Sequence, residues 1–574
     1  MSDDSLVDIP RAAFAPWLLE PMRRNAGTYG KVALAAVFIN IFGLLTAIFT
    51  MVVYDRVVPN NAFASLLALT IGLAVVVLFD FVLKLLRAYF VDFAGAQIDR
   101  EVGEAVFDRL LAMRLELRKG STGSLVGLMR ELEALREFFA SATLAALVDV
   151  PFALITLAAI ALIGGKLVLV PMVVIPLVIL VGWLTRPALD RLAAKSLGEG
   201  MQKQSVLVET VGSIEIVKAV GAGPLLARRW IDALARQSDS AMRQRLIGAV
   251  AVTFATSAST ISYAGVVIYG VFLIADHTLT SGGLIACSIL SGRAIAPLTQ
   301  IAQLLSRLSA TRTAYRQVNA MMELAIEGPK QGLIPGRMEG RIEFRNVSFR
   351  YPGASVRALD GISFAIAPGE HVALVGRVGS GKSTVARLVL GLYPPEDGLV
   401  MIDGSDIRQL DPKAMRGFVG AAMQESTLLT GSVRENILLG RADVDDAEMI
   451  RAAEVSGTHQ FMGQLANGYD LKLADRGEGL SGGQRQSIAI ARALVGKPPI
   501  VIMDEPSSAM DGQTEAALLQ RLSDELRGRT LVLVTHRPSL LALVHRVIVI
   551  EDGKVAADGP RDAVLQKITR PRAA

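Results

Sequence analysis

The sequence predicts a multi-domain membrane protein. An α-helical domain of six transmembrane segments with long cytoplasmic helices is expected first, followed by an α/β domain that carries a helical subdomain. Three observations support this fold class. The chain has 574 residues, which is more than one domain usually contains. Its mean hydropathy is +0.44, a value that a membrane half and a soluble half would average to. Near residue 325 the sequence changes from long apolar runs to mixed α/β sequence.

Charge and cysteine content exclude several classes of protein. The net charge is +5, and the Lys and Arg residues are spread along the chain instead of forming an arm that would bind nucleic acid. We therefore expect no nucleic-acid partner. Cys287 is the only cysteine, so neither an intrachain disulfide nor a cysteine metal site is expected. Asp3, Asp4 and Asp8 lie in an N-terminal segment that lacks the apolar core of a cleaved signal peptide, so the first membrane helix is predicted to be an uncleaved anchor.

Six apolar windows have about the length of roughly 20 residues that crosses a bilayer. They are residues 32–54, 62–86, 139–163, 167–185, 247–275 and 281–305. Arg and Lys are concentrated in the connections 87–136 and 186–245, whereas the other three connections are short and hold one or none. Because positively charged connections stay in the cytoplasm, both long connections and both termini are predicted to be cytoplasmic. Their helical tips, near 120–130 and 213–221, are expected to touch the second domain.

Four charged residues lie inside predicted spans. Asp80 and Lys84 are spaced i, i+4 and can neutralise each other on one helix face, so a structural role is favoured over substrate contact. Asp149 and Arg293 have no such neighbour. Because charge inside a membrane often marks a transport pathway, both a structural role and a substrate-contacting role remain open for these two residues.

The sharpest motif follows an apolar strand at 371–375. The pattern G-x-x-x-x-G-K-S then leads into a helical segment, which predicts a phosphate-binding loop. Glycines let backbone N–H groups surround the phosphates, and the helix presents its positive end to them. Lys382 is expected to reach the β- and γ-phosphates, and the Ser383 hydroxyl to bind Mg²⁺. The predicted nucleotide-binding residues of the loop are Gly376, Gly379, Ser380, Gly381, Lys382, Ser383 and Thr384.

Two further strands end in candidate catalytic residues. The apolar strand before Asp504 and Glu505 would be unremarkable alone, but the phosphate loop upstream separates two roles for the carboxylates. Asp504 is expected to bind Mg²⁺, and Glu505 to orient or deprotonate the attacking water. A third strand at 531–534 precedes His536, which is expected to hold the γ-phosphate and the water in register. A lone histidine at a strand end would otherwise be ordinary.

The sequence Leu-Ser-Gly-Gly-Gln at 480–484 resembles the signature of the ATP-binding cassette family, and the resemblance extends over about 340–565. It implies an α/β P-loop ATP-binding cassette domain with ATP and Mg²⁺ as cofactors. By this resemblance Tyr351 stacks on adenine, Gln424 couples Mg²⁺ to the membrane domain, and residues 508–511 cross a dimer interface. The implied catalytic residues are Glu505, His536, Lys382 and Gln424, and the implied metal ligands are Ser383, Gln424 and Asp504.

The signature also implies a homodimer. In the family that the chain resembles, Ser481, Gly482, Gly483 and Gln484 of one cassette close on ATP that the phosphate loop of the other cassette holds. This chain supplies one phosphate loop and one signature. Two equivalent sites in a two-fold homodimer are therefore expected.

The order of membrane domain and cassette resembles exporters. Residues 49–61 and 505–511 are similar to inner-membrane permease/ATPase subunits of type I protein secretion systems, of the adhesin and haemolysin exporter kind. This resemblance implies an inner-membrane location, a periplasmic adaptor, an outer-membrane channel and an unfolded polypeptide substrate. Two alternatives are a lipid or glycolipid flippase of the same architecture and a membrane-anchored ATPase that transports nothing.

The predicted domain boundaries follow from these elements. A short cytoplasmic segment is expected at 1–30, the transmembrane domain at 31–320, a linker at 321–339 and the cassette at 340–574. Many secretion ATPases of the similar class carry an N-terminal peptidase or peptidase-like domain. About thirty residues precede the first span, so we expect no such domain and no leader-peptide cleavage by this chain.

Overall fold

The structure is a computed structural model that describes residues 15–117, 123, 125–129, 132, 135, 143–329, 331–441, 443–465 and 467–569. The chain divides into two compact units. The first comprises Met1–Leu111 and Lys119–Leu324, and the second comprises Ala112–Arg118 and Ala325–Ala574. The first unit is helical, and the second is an α/β unit, in agreement with the predicted fold class.

Helices of very different length make up the described part of the first unit. They are α1 Pro16–Arg24, α2 Ala26–Val52, α3 Val58–Asn60, α4 Phe63–Ala112, α5 Thr143–Gly164, α6 Leu169–Gly212, α7 Ile214–Ala219, α8 Gly223–Ala275 and α9 Ser281–Glu323. A π-helical turn at Val53–Val57 joins α2 to α3, so the first predicted span continues as helix to Asn60 instead of turning after residue 54. Asp55 in this turn accepts hydrogen bonds from the Thr280 hydroxyl (2.7 Å) and the Gly282 N–H (2.8 Å) at the start of α9.

Five helical stretches in the described part of the chain are long and apolar enough to cross a membrane, whereas the sequence predicts six spans. They are Ala26–Asn60, Phe63–Ala112, Asp149–Gly212, Gly223–Ala275 and Ser281–Ile301. The third stretch contains the predicted span 167–185 and residues 149–163 of the predicted span 139–163. A 3-10 turn at Gly165–Val168 separates its two helices, α5 and α6. Residues 139–142, at the start of the predicted third span, lie outside the described residues.

Packing against α9 shows that the chain reverses at this turn. Gly164 at the end of α5 lies against Cys287, because a Cβ on Gly164 would be 2.7 Å from the Cys287 sulfur. Asp149, near the start of α5, shares a cavity with Pro297 further along α9. The two helices therefore run antiparallel.

The next helix runs the other way. Leu167, just before α6, is in one apolar cluster with Leu290, and Val178 within α6 is in another cluster with Leu298. Helix α6 is therefore parallel to α9 and antiparallel to α5. The two helices account for two predicted spans, and the counts differ because the turn between them is itself helical.

Small residues line the contact of α8 with α6 and α9. Ala255 and Ala258 are buried beside Val178 and Ile295, which lets the helices approach closely. The Ser262 and Ser291 hydroxyls are 2.8 Å apart and satisfy each other inside the unit. The predicted pairing on α4 is confirmed, since Lys84 Nζ lies 2.6 Å from an Asp80 carboxylate oxygen.

Elements of the second unit alternate between strands and helices. The strands are β1 Ile342–Phe349, β2 Leu359–Ile366, β3 His371–Val375, β4 Asp397–Ile402, β5 Ser405–Asp406, β6 Val419–Ala422, β7 Gly431–Ser432, β8 Lys472–Leu473, β9 Ile500–Asp504, β10 Thr530–Val534, β11 Arg546–Glu551 and β12 Lys554–Pro560. The helices are α10 Lys382–Val389, α11 Pro412–Gly417, α12 Val433–Leu438, α13 Asp446–Ser456, α14 Thr458–Met462, α15 Gly482–Leu494, α16 Gly512–Glu525 and α17 Arg561–Thr569.

A six-stranded sheet in the order β12-β11-β3-β10-β9-β6 forms the centre of this unit. Five of its strands are parallel and β12 is antiparallel. Strands β9 and β10 are buried at every position, as expected for parallel strands covered on both faces. A separate antiparallel sheet has the order β2-β1-β4-β5. The parallel strands bring their carboxyl ends to one edge, which is where the predicted site residues lie.

The residues directly after α4 belong to the second unit, where they pair with the segment before β1. Met113 and Ile326 form an antiparallel bridge, and the Glu327 N–H donates to the Ala112 carbonyl (2.7 Å). The Glu327 carboxylate is 2.7 Å from Arg416. Arg416 also donates to the Leu390 carbonyl (3.0 Å), just beyond the C-terminal end of α10. The segment after the membrane helices is thus attached to the end of the helix that follows the phosphate loop.

The structure describes the second of the two predicted helical tips in full and the first only in part. Of the tip at 120–130, only residues 123 and 125–129 are described. The tip at 213–221 contains the short helix α7. Their expected contact with the second domain stays a prediction.

Candidate functional site

The phosphate loop joins β3 to α10. Gly379 and Gly381 have φ values of +82° and +106°, which favour glycine, and a Cβ on Gly381 would lie 2.5 Å from the Ala358 carbonyl oxygen. A Cβ on Gly376 would be 2.1 Å from the Ile550 carbonyl oxygen. These glycines let the loop curl tightly, so its N–H groups and the first turn of α10 form an anion-binding cradle.

Lys382 is folded over the loop. Its ammonium donates to the carbonyls of Gly376 (2.9 Å) and Arg377 (2.7 Å). Burial lowers the pKa of Lys382, while the charges of Glu505 and Asp504 oppose that shift. The ammonium is therefore held at the cradle by carbonyls that a phosphate oxygen can replace.

Two adjacent carboxylates stand beside the cradle because β9 is hydrogen-bonded to β10, and β10 to β3. Asp504 ends β9 with only 1% of its surface exposed, and the Ser383 side chain hydrogen-bonds to it. Burial raises the pKa of Asp504, and the negative charge of Glu505 raises it further. A bound cation would stabilise the charged form of this buried carboxylate.

Glu505 is held in an unusual backbone conformation. Its φ is +51°, a left-handed value that strains a residue with a long side chain. The Glu505 N–H donates to the Val534 carbonyl (2.9 Å), and Oε1 lies 2.7 Å from His536 Nδ1. The backbone conformation and these two contacts fix the orientation of the Glu505 carboxylate.

Two carboxylate oxygens at the site fit a metal ion and a water. Asp504 Oδ1 and Glu505 Oε2 are buried and have no hydrogen-bond partner among the described residues, and the same is true of Ser380 Oγ. Buried polar atoms are normally paired. Hard oxygen donors beside a phosphate cradle suit Mg²⁺.

Gln424 lies at the same edge. It follows β6, whose Ala422 is paired with Met503 directly before Asp504. Gln424 is exposed, and none of the described hydrogen bonds involves its side chain. The structure therefore brings together the predicted positions 376–384, Gln424, Asp504, Glu505 and His536.

Tyr351 contacts α10 instead of leaving both ring faces open. Its hydroxyl accepts a hydrogen bond from Arg387 (2.8 Å) and lies 3.2 Å from the Thr384 hydroxyl. The Arg387 guanidinium carbon is 5.8 Å from the ring centroid, a cation–π arrangement. Adenine stacking on Tyr351 stays a prediction.

The signature residues occupy a different place in the protomer. Ser481 caps α15, and Ser481 and Gln484 form a capping box through two mutual hydrogen bonds. Gly482 and Gly483 lie against Ala509, where added Cβ atoms would come within 3.2 Å and 3.1 Å of its atoms. None of the hydrogen bonds of the described residues 480–484 reaches the phosphate loop of the same protomer.

Gln486 was not predicted as a site residue. Its side chain is 3% exposed and donates to the Glu505 carbonyl (2.8 Å) and the Ser508 hydroxyl (3.0 Å), while it accepts from the Ala509 N–H (3.0 Å). It therefore fixes the segment that carries Glu505. In the sequence, the only indication of this role is that Gln486 follows the signature by two residues.

We expect Gln486→Ala to lower the stability of the ATPase unit by roughly 1–3 kcal/mol, because the buried Glu505 carbonyl and two partly buried groups lose their partner. The loss should appear as a lower midpoint of thermal unfolding of the full chain in detergent. Gln520→Ala, on the partly exposed face of α16, is the matched control and should change the midpoint little. Equal midpoints for Gln486→Ala and wild type would contradict the prediction.

Glu515 on α16 forms a second buried network that the sequence did not reveal. It is 6% exposed, accepts from the Ser507 hydroxyl (2.6 Å), and is bound by Ser539 and Arg537. Arg537 follows His536 directly, so this carboxylate ties the histidine segment to the segment after Glu505. Burial by itself would raise the pKa of Glu515, but the hydrogen bonds from Ser507, Ser539 and Arg537 bring it below its ordinary value.

The lowered pKa of Glu515 sets a pH dependence. Because the folded-state pKa lies below the unfolded one, its contribution to stability is complete above about pH 4.5 and is lost as pH falls through the folded pKa. We expect Glu515→Gln to unfold more easily than wild type at neutral pH, and the difference between them to shrink on acidification below that value. Circular-dichroism melting of both proteins over a pH series is the measurement. A difference that grows as the pH falls would contradict this assignment.

Two family models match the chain. The model described as "ABC transporter transmembrane region" matches residues 30–298, and the model described as "ABC transporter" matches residues 359–508. Between them they account for most of the chain, and they match it in the order expected from the sequence.

Relatives with similar sequences are toxin secretion proteins. The cyclolysin secretion/processing ATP-binding protein CyaB of Bordetella pertussis is 34% identical over 96% of this chain and 77% of its own length. The leukotoxin translocation ATP-binding protein LktB of Mannheimia haemolytica is 33% identical over 96% of this chain and 78% of its own. The toxin RTX-I translocation ATP-binding protein of Actinobacillus pleuropneumoniae is 32% identical over the same shares.

A solved structure with the same fold is that of a bacterial Atm1-family ABC exporter with ATP bound. It is 25% identical, has a TM-score of 0.84, and is matched over 96% of this chain and 99% of its own. Taken with the phosphate cradle and its two carboxylates, the comparisons lead to one conclusion. The chain belongs to the ABC transporter family, as a multi-pass membrane protein whose ATPase domain binds nucleotide and couples ATP hydrolysis to export.

Proposed function

We propose that this protein is the energising permease/ATPase of a type I protein secretion system and exports an unfolded polypeptide. The observation that carries the proposal is the similarity to cyclolysin, leukotoxin and RTX-I toxin secretion proteins over 96% of this chain. The resemblance of residues 49–61 and 505–511 to such exporters supports the same class.

At the ATPase site, Lys382 and the N–H groups of the loop bind the ATP phosphates, and Tyr351 stacks on the adenine. Ser383, Asp504 and Gln424 hold Mg²⁺, which when bound would neutralise phosphate charge. Glu505 takes a proton from the attacking water or orients it, because its Oε2 has no partner among the described atoms. His536, 2.7 Å from Glu505, keeps water and γ-phosphate aligned.

Dimerisation completes this site. Within one protomer, Ser481 and Gln484 hydrogen-bond to each other, and Gly482 and Gly483 lie against Ala509. We therefore assign residues 481–484 to the ATP that the phosphate loop of a second copy holds. Two copies then form two equivalent sites. ATP binding closes the pair, and hydrolysis releases it, which drives the membrane helices between inward and outward access.

The remaining assignments concern location and partners. We place the chain in the inner membrane with both termini and the ATPase domain in the cytoplasm, on the basis of the Arg and Lys distribution. A periplasmic adaptor and an outer-membrane channel are the implied partners. The domains are assigned to 1–30, 31–320, 321–339 and 340–574.

The decisive experiment is secretion by the native host. Deletion of this protein should remove at least one polypeptide from the culture medium, and wild-type chain supplied in trans should restore it. Glu505→Gln, supplied in the same way, should not restore it, because turnover is blocked. An unchanged secreted profile after deletion would contradict the proposal.

A flippase of lipid or glycolipid is the second candidate. The specific observation in its favour is the structural similarity to an Atm1-family exporter, with a TM-score of 0.84. Reconstitution into vesicles with a fluorescent lipid separates the two. ATP-dependent movement of lipid between leaflets, with no change in secreted polypeptides, would favour the flippase.

A further inference from the structure

A small polar cavity lies inside the helical unit, at a place where the surrounding helices are apolar. Its volume is about 140 Å³, and it is lined by residues of α2, α5 and α9, among them Asn40, Asp149, Arg293 and Gln300. Polar and ionisable side chains are costly inside a membrane and usually serve pairing or transport there. The question is which charges of this cavity are already neutralised.

Asp149 is neutralised within the protomer. Arg87 of α4 lies 3.2 Å from its Oδ2, and the Asn40 amide donates to its Oδ1 (3.0 Å). Both members of the ion pair are largely shielded, with side chains 21% and 15% exposed. The carboxylate therefore has its own cation and does not balance a second one.

Arg293 is the second cation. No hydrogen bond or ion pair within 4.0 Å is found for its guanidinium among the residues that the structure describes, and the residue is exposed. It lies near the middle of the apolar stretch Ser281–Ile301. Of Arg87, Asp149 and Arg293, Arg293 is therefore left without a counter-ion among the described residues.

The neighbouring helix makes room for this guanidinium. A Cβ on Gly43 of α2 would lie 1.5 Å from Arg293 Nη1, so any larger residue at position 43 would displace the arginine. The absence of a side chain at Gly43 lets Arg293 lie flat against α2 beside the cavity. The guanidinium is thus held in place by packing while its donors stay open to a ligand.

We propose that this cavity is a binding site for a carboxylate of the transported polypeptide, with Arg293 as the residue that recognises it. The inference rests on the proposed polypeptide-export function and names a chemical preference of its cargo path. A planar carboxylate matches the forked donors of one guanidinium, and a single negative charge balances the single excess positive charge. The Gln300 amide supplies a further donor at the same cavity, whereas the Asn40 amide already donates to Asp149 and to the Ala36 carbonyl.

A lipid phosphate is the competing anion, and the geometry favours it less. Arg293 lies at the centre of the predicted span 281–305, whereas phosphate headgroups reside at the membrane surfaces. Its volume of about 140 Å³ suits one acidic side chain. The cyclolysin and leukotoxin secretion proteins named above are similar to this chain over 96% of its length.

The test is peptide binding to the full-length dimer in nanodiscs of neutral lipid. Two fluorescein-labelled peptides of identical length are compared by fluorescence anisotropy, one made of Gly, Ser and Asp and the other with Asn in place of every Asp. Wild type should bind the Asp peptide about tenfold more tightly, since one charge-assisted pair contributes on that order. Arg293→Gln should bind both peptides alike, and Arg293→Lys should keep part of the preference.

A further variant and a control separate recognition from misfolding. Ala296→Glu places a tethered carboxylate one helical turn from Arg293, so it should abolish the preference with the arginine still present. Arg191→Gln removes an exposed arginine of α6 that does not line the cavity, and it should keep the full preference.

Each outcome is decisive. A preference for the Asp peptide that survives in Arg293→Gln overturns the proposal. Equal binding of both peptides to wild type overturns it too, while polypeptide export stands. If neither peptide binds, the proposal is overturned as well, while the secretion experiment still decides the export function by itself. If phosphatidylglycerol in the nanodiscs competes with the Asp peptide in wild type but not in Arg293→Gln, the site belongs to a lipid phosphate.

Discussion

Replacing Glu505 by glutamine is expected to leave ATP binding intact and to lower kcat for hydrolysis by about 10²- to 10⁴-fold. The amide retains the size of the side chain and its place 2.7 Å from His536, but it cannot accept a proton from water. Its backbone, strained at a φ of +51°, is unaffected by this change. The measurements are phosphate release for kcat and fluorescent-ATP binding for affinity, both on the full chain in nanodiscs.

The matched control is Glu551→Gln. Glu551 also ends a strand of the central sheet, but its side chain is exposed and takes part in no hydrogen bond or ion pair among the described residues. Its amide variant should hydrolyse ATP at the wild-type rate. Normal turnover by Glu505→Gln would remove Glu505 from the catalytic role, and a loss of ATP binding would show that the residue acts on the nucleotide and not on the water.

Replacing Lys382 by alanine is expected to weaken ATP binding by about 10- to 150-fold, the range of one hydrogen bond between charged groups. The lysine ammonium now donates to two loop carbonyls, and a phosphate oxygen would be its stronger acceptor. Removing it leaves the loop backbone in place and takes away the only side-chain cation that contacts the loop carbonyls among the described residues. Fluorescent-ATP titration in the presence of Mg²⁺ measures the change.

Lys554→Ala provides the comparison for Lys382→Ala. Lys554 pairs with Asp360 at 3.3 Å on the surface of the same unit, so its loss should not alter ATP affinity. Wild-type affinity in Lys382→Ala would mean that the cradle N–H groups alone bind the phosphates. The two variants of the site also differ from each other, since Glu505→Gln should retain nucleotide and Lys382→Ala should lose it.

The chemistry of the ATPase unit was predictable because its motifs are local. The residues from Gly376 to Thr384 are contiguous, and a strand–loop–helix with glycines at fixed positions has few folded alternatives. The pair Asp504 and Glu505 directly follows a strand that is apolar throughout. Parallel strands gather their carboxyl ends at one edge, so placing these residues together needed no knowledge of distant contacts.

Residues that support this site were not predictable. Gln486 and Glu515 are polar side chains on amphipathic helices, where a solvated position is the ordinary expectation. Their burial results from contacts with Glu505, Ser508 and Arg537, which come from other parts of the chain. The Arg416 to Glu327 pair likewise joins segments 89 positions apart.

In the membrane half, hydropathy predicted the positions of the spans but not which helices contact one another. The turn at Gly165–Val168 is itself helical, so the count of helical stretches is smaller than the count of spans. For α4, the spacing of Asp80 and Lys84 was sufficient to predict their pairing, which the structure confirms. For Asp149 and Arg293 the sequence left two roles open, because their partners lie on other helices.

The sequence alone determined the fold class, the family and the order of the domains, since long apolar windows and contiguous phosphate-loop chemistry are properties of neighbouring residues. Tertiary structure decided which charges of the membrane helices are paired. Arg87 and Asn40 neutralise Asp149, whereas Arg293 lies against Gly43 with no counter-ion among the described residues. The physical reason is that the free energy of a charge inside a membrane depends on atoms within a few ångströms, and here those atoms come from four separate helices.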